Sequence, residues 1–239
     1  MTVALTGLIV VVPVHDEEEL LPGCLDALDR AAARLAESGD PVVAQIIVVL
    51  DRCTDGSAAI ARARRVRAVA SAAGRVGAAR RLGVETGLLG VPAAGLAHIW
   101  LASTDADSRV PPEWLVEHAR HARDGVDLLL GGVVPGAADI SAGLLKRWRE
   151  LHPLPLGPDH IFGANLGVRA SAYERAGGFP DLESGEDVGL VAALRRIGVH
   201  ERRAHRFPVT TSGRTAGRAP SGFARYLAEL GTDGRGEPA

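Results

Sequence analysis

The sequence predicts an α/β protein built on a mostly parallel sheet with helices on both faces. Three observations predict it. Apolar, β-branched runs at residues 7–14, 42–50 and 126–133 are continuous rather than alternating, as strands covered on both faces must be. The segments between such runs carry apolar residues at helical spacing. Strand-like and helix-like segments alternate along the chain, the pattern of crossover connections between parallel strands.

In chain order, Gly7-Leu-Ile-Val-Val-Val-Pro-Val14 is the first strand. A helix follows over residues 20–38, with Leu21, Leu25, Leu28, Ala32 and Leu35 on one stripe and Gly39 closing it. Residues 42–50 form the second strand. Asp51-Arg-Cys-Thr-Asp-Gly56 then turns the chain into an Ala/Arg helix from about Ser57, with Asp55-Gly56 as turn and cap. Residues 67–71 make a short third strand and residues 74–87 a helix rich in small residues. The run His98-Ile-Trp-Leu-Ala102 is another buried strand, ending at Asp105 before a proline-started helix over residues 112–123. After the strand at 126–133 comes a helix containing Trp148, broken by Pro153, Pro155 and Pro158. Residues 162–169 read as a strand and 185–197 as a helix. Residues 209–218 are a polar, cationic, flexible loop; Pro220 precedes a terminal helix, and residues 231–239 read as a disordered tail.

Composition excludes several classes. With 46% hydrophobic and 23% charged residues over 239 positions, the chain is an ordinary soluble globular protein with a sizeable core. A net charge of −2 without a basic stripe argues against a nucleic-acid partner. The two cysteines, Cys24 and Cys53, fall in a helix and a loop, so reduced thiols in a cytoplasmic protein fit better than a disulfide. The N-terminus lacks a signal-peptide pattern, and the run from Leu8 to Val14 is too short to cross a bilayer. The expectation is a cytoplasmic protein with no transmembrane segment, at most peripheral to a membrane. No heptad run or apolar patch fixes the oligomeric state, which leaves a homodimer open.

The chemistry concentrates in Ser103-Thr-Asp-Ala-Asp107. Carboxylates at the carboxyl end of a parallel strand stand in the crevice where open α/β sheets bind ligands. Two acids so close repel unless a cation or donors hold them, and oxygen-only ligands suit Mg²⁺ or Mn²⁺. Mg²⁺ is usually shared between one or two carboxylates and substrate phosphates, so a nucleotide diphosphate is the natural third party. An isolated Asp-x-Asp is more often a surface turn, and the rest of the chain must decide.

Further motifs stand in order around it. Val12-Pro-Val-His-Asp-Glu-Glu18 follows the first strand, and Val49-Leu-Asp-Arg-Cys-Thr-Asp-Gly56 follows the second. Gly163-Ala-Asn-Leu-Gly-Val-Arg169 precedes Gly177-Gly-Phe-Pro180, and Gly185-Glu-Asp-Val-Gly-Leu190 opens the late helix. From about Leu8 to Leu230 this set resembles the family 2 glycosyltransferases of the GT-A fold. The resemblance implies a nucleotide-sugar donor of UDP or GDP type, a divalent cation and inversion at the anomeric carbon. It also implies one domain over residues 1–230, with a nucleotide-binding half at 1–110 and an acceptor-side half at 111–230.

Carried over residue by residue, Pro13, His15 and Glu17 lie in the first nucleotide loop, where His15 replaces an aromatic ring that lies against the base. Asp16 and Glu17 would also cap the following helix, as would Glu18 and Glu19. Asp51 matches the carboxylate that reads the base; the family often has two acids here, and this chain has Leu50 then Asp51. Arg75 and Arg80 flank the small-residue helix, and each reads either as a nucleotide contact or as part of a solvated face. Asp107 matches the direct metal ligand, and Asp105 the ribose or metal-water position. His205 is a candidate third ligand, or a structural histidine. Asn165 and its flanking glycines match the acceptor-side strand, where glycine would let substrate approach the backbone. Glu186 lies on the acceptor side and Asp187 matches the general base, with helix capping as the plainer reading. Arg214 or Arg218 would close over the diphosphate, and Arg169 would meet a polar or phosphorylated acceptor.

The Gln-x-x-Arg-Trp motif of processive relatives does not occur, so one sugar per encounter is expected. The acceptor is not legible. A sugar-phosphate nucleotidyltransferase is a second reading, disfavoured because His15-Asp-Glu-Glu18 replaces its glycine-rich basic loop and would repel a triphosphate. A non-catalytic nucleotide-sugar binding domain is a third, disfavoured because binding needs no base at Asp187.

Overall fold

The computed structural model describes residues 3–152, 160–215 and 223–232. Its strands are β1 (Gly7–Val14), β2 (Ala44–Asp51), β3 (Arg67–Ser71), β4 (Ile99–Ser103), β5 (Ser108–Arg109), β6 (Leu128–Pro135), β7 (Leu166–Arg169) and β8 (Glu201–Thr211). The helices are α1 (Leu21–Glu37), α2 (Ser57–Arg62), α3 (Val76–Gly87), α4 (Trp114–Arg123), α5 (Ala142–Leu151), α6 (Ala170–Arg175), α7 (Glu186–Arg196) and α8 (Phe223–Thr232). One eight-stranded sheet runs in the order β3-β2-β1-β4-β7-β6-β8-β5. The first four neighbours pair in parallel; β7 lies antiparallel to both β4 and β6, and β8 returns parallel to β6.

The alternation of β1 explains the two-sided core. Leu8, Val10, Val12 and Val14 face one layer, packed with α1 and α4, while Ile9 and Val11 face the other with residues of α3 and α7. Each fully buried Val, Leu or Ile contributes about 1.5–3 kcal/mol, which is why such strands are apolar throughout. The small residues of α3 have a packing reason: a Cβ on Gly87 would come within 2.6 Å of Ile9 Cγ2, so glycine lets the helix lie close on the sheet.

The sequence misses three elements. β5 is only two residues long, and α6 is a single short run after β7. The third, β8, is hidden because Glu-Arg-Arg-Ala-His-Arg-Phe-Pro-Val-Thr-Thr lacks an apolar run. Its register against β6 breaks between Gly131 and Val133, opposite Ala204 and Val209. Pro208 falls inside that irregularity, where its missing N–H takes nothing from the ladder. Three boundaries are corrected as well. Residues 209–211 finish β8 rather than open a loop, residues 163–165 form a 3₁₀ turn before β7, and α8 carries helix through Thr232, past the start of the expected tail. Among the described residues, no helix is long and apolar enough to cross a membrane.

Candidate active site

The carboxyl ends of β1, β2 and β4 lie side by side, so the loops that follow them meet in one crevice. The acids of the first loop brace the second loop and do not cap α1. Asp16, at φ 52°, accepts the backbone N–H groups of Thr54 (2.6 Å) and Asp55 (3.2 Å), which lower its pKa. Glu18 accepts Gly56 N–H at 2.6 Å, while its own N–H donates to Asp55 Oδ2 at 2.9 Å. The residue preceding α1, Leu20, receives no side-chain cap at all. The expected capping is therefore corrected: these short acids reach across to the neighbouring turn because its N–H groups are otherwise unpaired. Asp16, Cys53 and Asp55 offer ligand atoms within 4.8 Å of one another, but both carboxylates are already committed to backbone N–H groups.

His15 is exposed, and its Nδ1 lies 2.7 Å from the Asp51 carbonyl oxygen, so that nitrogen carries the proton and donates. Asp51 is buried and accepts Gly74 N–H at 3.1 Å. Pro13 is the penultimate residue of β1, two beyond the last β4 pairing, at Val11, where a missing N–H is tolerated.

Two charge clusters meet beyond β4. In the first, Arg214 donates to both Glu17 oxygens (3.0 and 2.6 Å) and stands 3.0 Å from Asp107 Oδ2. Ser108 and Thr211 hydroxyls lie 3.2 and 3.3 Å from Asp107 Oδ1. Burial first, and the Asp105 charge second, push Asp107 up to about 6, against the pull of Arg214. In the second cluster Arg80 is buried, donating one arm to Asp105 at 2.6 Å and the other to Glu186. Burial raises the Glu186 carboxyl, with Arg80 opposing. Its neighbour Asp187 accepts Gly163 N–H at 2.8 Å at the start of α7. Arg214 thus ties Glu17 to Asp107, and Arg80 ties Asp105 to Glu186, with Asp187 next to it in sequence. The partly buried carboxylate oxygens of Asp105 and Asp107 are donors of the kind a hard divalent cation takes.

Several expectations are corrected by this geometry. Arg80 is no solvated face residue; it joins acids from two distant motifs. Arg75 lies outside the clusters, paired at the surface with Asp181 at 3.1 Å. Asn165 is buried and spent internally, accepting Trp114 Nε1–H and donating to the Gly132 carbonyl, both at 2.8 Å. Gly163 and Gly167 make room for protein, not substrate: a Cβ would come within 2.5 Å of the Arg80 guanidinium at one and 2.6 Å of Trp100 at the other. Arg169 is also buried, bound to Asp127 and three carbonyl oxygens, so it is closed to an acceptor. The His205 backbone lies in β8 but its side chain is outside the described residues, as is the whole of Arg218. Sequence reasoning missed Ser57, whose hydroxyl accepts the Glu17 N–H at 2.9 Å, Ser108, Thr211 and the Gly163 N–H, because a hydroxyl or amide gains meaning only from its neighbour. The polar run at 209–218 did carry a signal for Thr211, overshadowed there by the arginines.

Asn165→Ala is expected to cost about 1–3 kcal/mol for each of the two groups it orphans. Urea unfolding measures this; a stability equal to wild type would remove Asn165 as the strut between α4 and β6.

The glycosyl transferase family 2 profile matches residues 9–154. The crystal structure of S. aureus TarS 1–349 in complex with UDP-GlcNAc is similar with a TM-score of 0.68 at 15% identity, covering 94% of this chain and 64% of that one. The mannosyltransferase PcManGT from Pyrobaculum calidifontis, in complex with GDP-Man and Mn²⁺, is similar at 0.60 and 17%, covering 97% and 65%. Glucosyl-3-phosphoglycerate synthase from Mycobacterium tuberculosis, in complex with Mn²⁺, UDP and phosphoglyceric acid, is similar at 0.54 and 17%, covering 98% and 80%. The chain therefore spans just under two thirds of the first two, and identities this low speak to the fold alone. No curated protein sequence matches the chain.

Proposed function

The chain belongs to glycosyltransferase family 2, and from that premise we propose a metal-dependent, inverting transfer of one sugar from a UDP- or GDP-sugar to an acceptor hydroxyl. The observation that carries this reading is the meeting of Asp105 and Asp107 with Glu186 and Asp187 across Arg80. Asp107, with Asp105 beside it, would hold Mg²⁺ or Mn²⁺, which when bound offsets charge on the departing diphosphate. His205 remains a candidate third ligand.

The chain's own groups divide the remaining work. The exposed His15 ring offers a stacking face for the base, and the carboxylate of Asp51, whose backbone carbonyl His15 contacts, would accept a base N–H. Arg214 reaches the diphosphate by exchanging its Glu17 and Asp107 partners for phosphate oxygens, a match for its planar fork. Asp187 takes the acceptor's proton as that oxygen bonds to the anomeric carbon, because a carboxylate is too weak to ionise a free alcohol beforehand. In-line attack opposite the leaving diphosphate inverts the carbon. Both cysteines are unpaired, in keeping with a cytoplasmic setting.

Thermal unfolding with UDP, GDP, UDP-glucose, UDP-N-acetylglucosamine and GDP-mannose, each with Mn²⁺ or EDTA, tests the reading. A ligand that binds only the folded state raises the midpoint, by about 2.7 kcal/mol of stability at a hundredfold excess over Kd. A metal-dependent shift with one nucleotide series is expected, and it identifies the base. No shift with any of them sinks the donor assignment.

A further inference from the structure

Arg80 sits where α3, the loop after β4 and the start of α7 meet. Its guanidinium donates Nη2–H to Asp105 at 2.6 Å and Nη1–H to Glu186, with side-chain exposures of only 4% for Arg80 and 5% for Glu186. The Phe179 ring lies 5.9 Å from the guanidinium carbon, and the space beside it exists because residue 163 is glycine. That same Gly163 donates its N–H to Asp187. One cation and one amide, packed against each other, therefore hold the two acids of Glu186-Asp187.

Stability alone is a weak reason for this arrangement. Removing an arginine and a glutamate from water costs several kcal/mol each, and apolar replacements of buried ion pairs are often neutral or stabilising. What a leucine could not supply is a fixed length between two acids that lie far apart in sequence. Asp105 precedes the proposed metal ligand by two residues, and Glu186 precedes the proposed base by one. The rigid fork of arginine spans both with parallel donors; the single ammonium of lysine does not.

We infer that Arg80 is a positioning residue for sugar transfer, setting the placement of Asp187 against the donor by gripping Asp105 and Glu186 at once. This rests on the donor and base assignments proposed above. It replaces direct nucleotide contact as the role of Arg80, whose two arms are committed to protein oxygens.

The test uses Arg80→Lys, Asp187→Asn and the double variant of the full chain. Donor binding is measured by calorimetry with Mn²⁺, and turnover by nucleoside-diphosphate release from UDP-glucose, UDP-N-acetylglucosamine or GDP-mannose in water. In that reaction the water oxygen bonds to the anomeric carbon and the bond from that carbon to the β-phosphate oxygen breaks. Its electron pair leaves on the diphosphate, and a water proton passes to Asp187. Arg80→Lys is expected to keep donor affinity and to lower kcat on the order of 100-fold, the cost of a small misplacement. In the Asp187→Asn background the same change adds no further loss, since Arg80 acts through that residue.

Wild-type kcat in Arg80→Lys overturns the inference. So does an equal loss in both backgrounds, or a loss of donor affinity that accounts for the whole effect, which a merely structural role would give. A wild-type chain that binds none of the three donors overturns the underlying donor assignment instead, and the inference with it. If Arg80→Lys does not fold, Arg80→Met with Glu186→Gln removes both buried charges together. That variant is expected to fold, bind donor and turn over slowly; full turnover from it also overturns the inference.

Discussion

Asp187→Asn lowers sugar transfer by about 10²–10⁴-fold, the range contributed by a positioned general base, while donor affinity stays near wild type. The separation follows from where the carboxylate stands. Its two oxygens accept N–H groups from Gly163 and Val188, both at 2.8 Å, so its orientation is fixed by backbone on either side. Asparagine keeps the size but turns one acceptor into a donor that faces an N–H, at a local cost of about 1–3 kcal/mol. That cost falls on the start of α7, away from His15 and Asp51, which is why donor binding survives. Single-turnover kinetics with a bound donor reads the chemical step directly. Full activity in this variant would remove Asp187 as the base; a loss of donor affinity as large as the rate loss would make it a structural cap.

Asp107→Ala abolishes metal-dependent binding of the nucleotide diphosphate, and the site's electrostatics supply a second signature. The Asp107 carboxyl is raised from 3.8 to about 6 in the folded protein, mainly by burial and then by Asp105. An acid raised on folding stabilises the fold fully below its unfolded value and loses that contribution as pH climbs through the folded one. Without metal, the wild type should therefore shed up to about 3 kcal/mol between roughly pH 4 and 6 from this group. Glu186, also raised by burial, adds in the same direction, whereas Asp16, Asp55 and the Arg123-paired Asp40 are lowered and oppose it. The difference between wild type and Asp107→Asn isolates the term. Mn²⁺ should stabilise the wild type strongly above pH 6 and weakly at pH 5, where it must displace a proton. Calorimetric UDP binding with Mn²⁺ that persists in Asp107→Ala, or equal pH slopes in the two proteins, counts against the assignment.

Two kinds of information separate in this chain. The apolar strands, the helices at 3.6-residue spacing and the acids that end the parallel strands were legible because local pattern dictates them: β1 is buried on both faces, so all of it is apolar. The order of the short motifs then pointed to the family. The sequence could not place β8, whose charged residues 201–203 leave it without an apolar run, nor say which polar groups meet. Asp16 and Glu18 look like helix caps until the turn at Thr54–Gly56 arrives beside them. Asn165 and Arg169 look open to substrate until Trp114, Gly132 and Asp127 close on them. Arg80, 106 residues from Glu186, gains its meaning only when α3 and α7 pack together. Periodicity fixes which face of an element is buried, because burial is a property of the element. The partner of a charged side chain is a property of the packed whole, set by atoms far apart in sequence, and tertiary structure alone decided it.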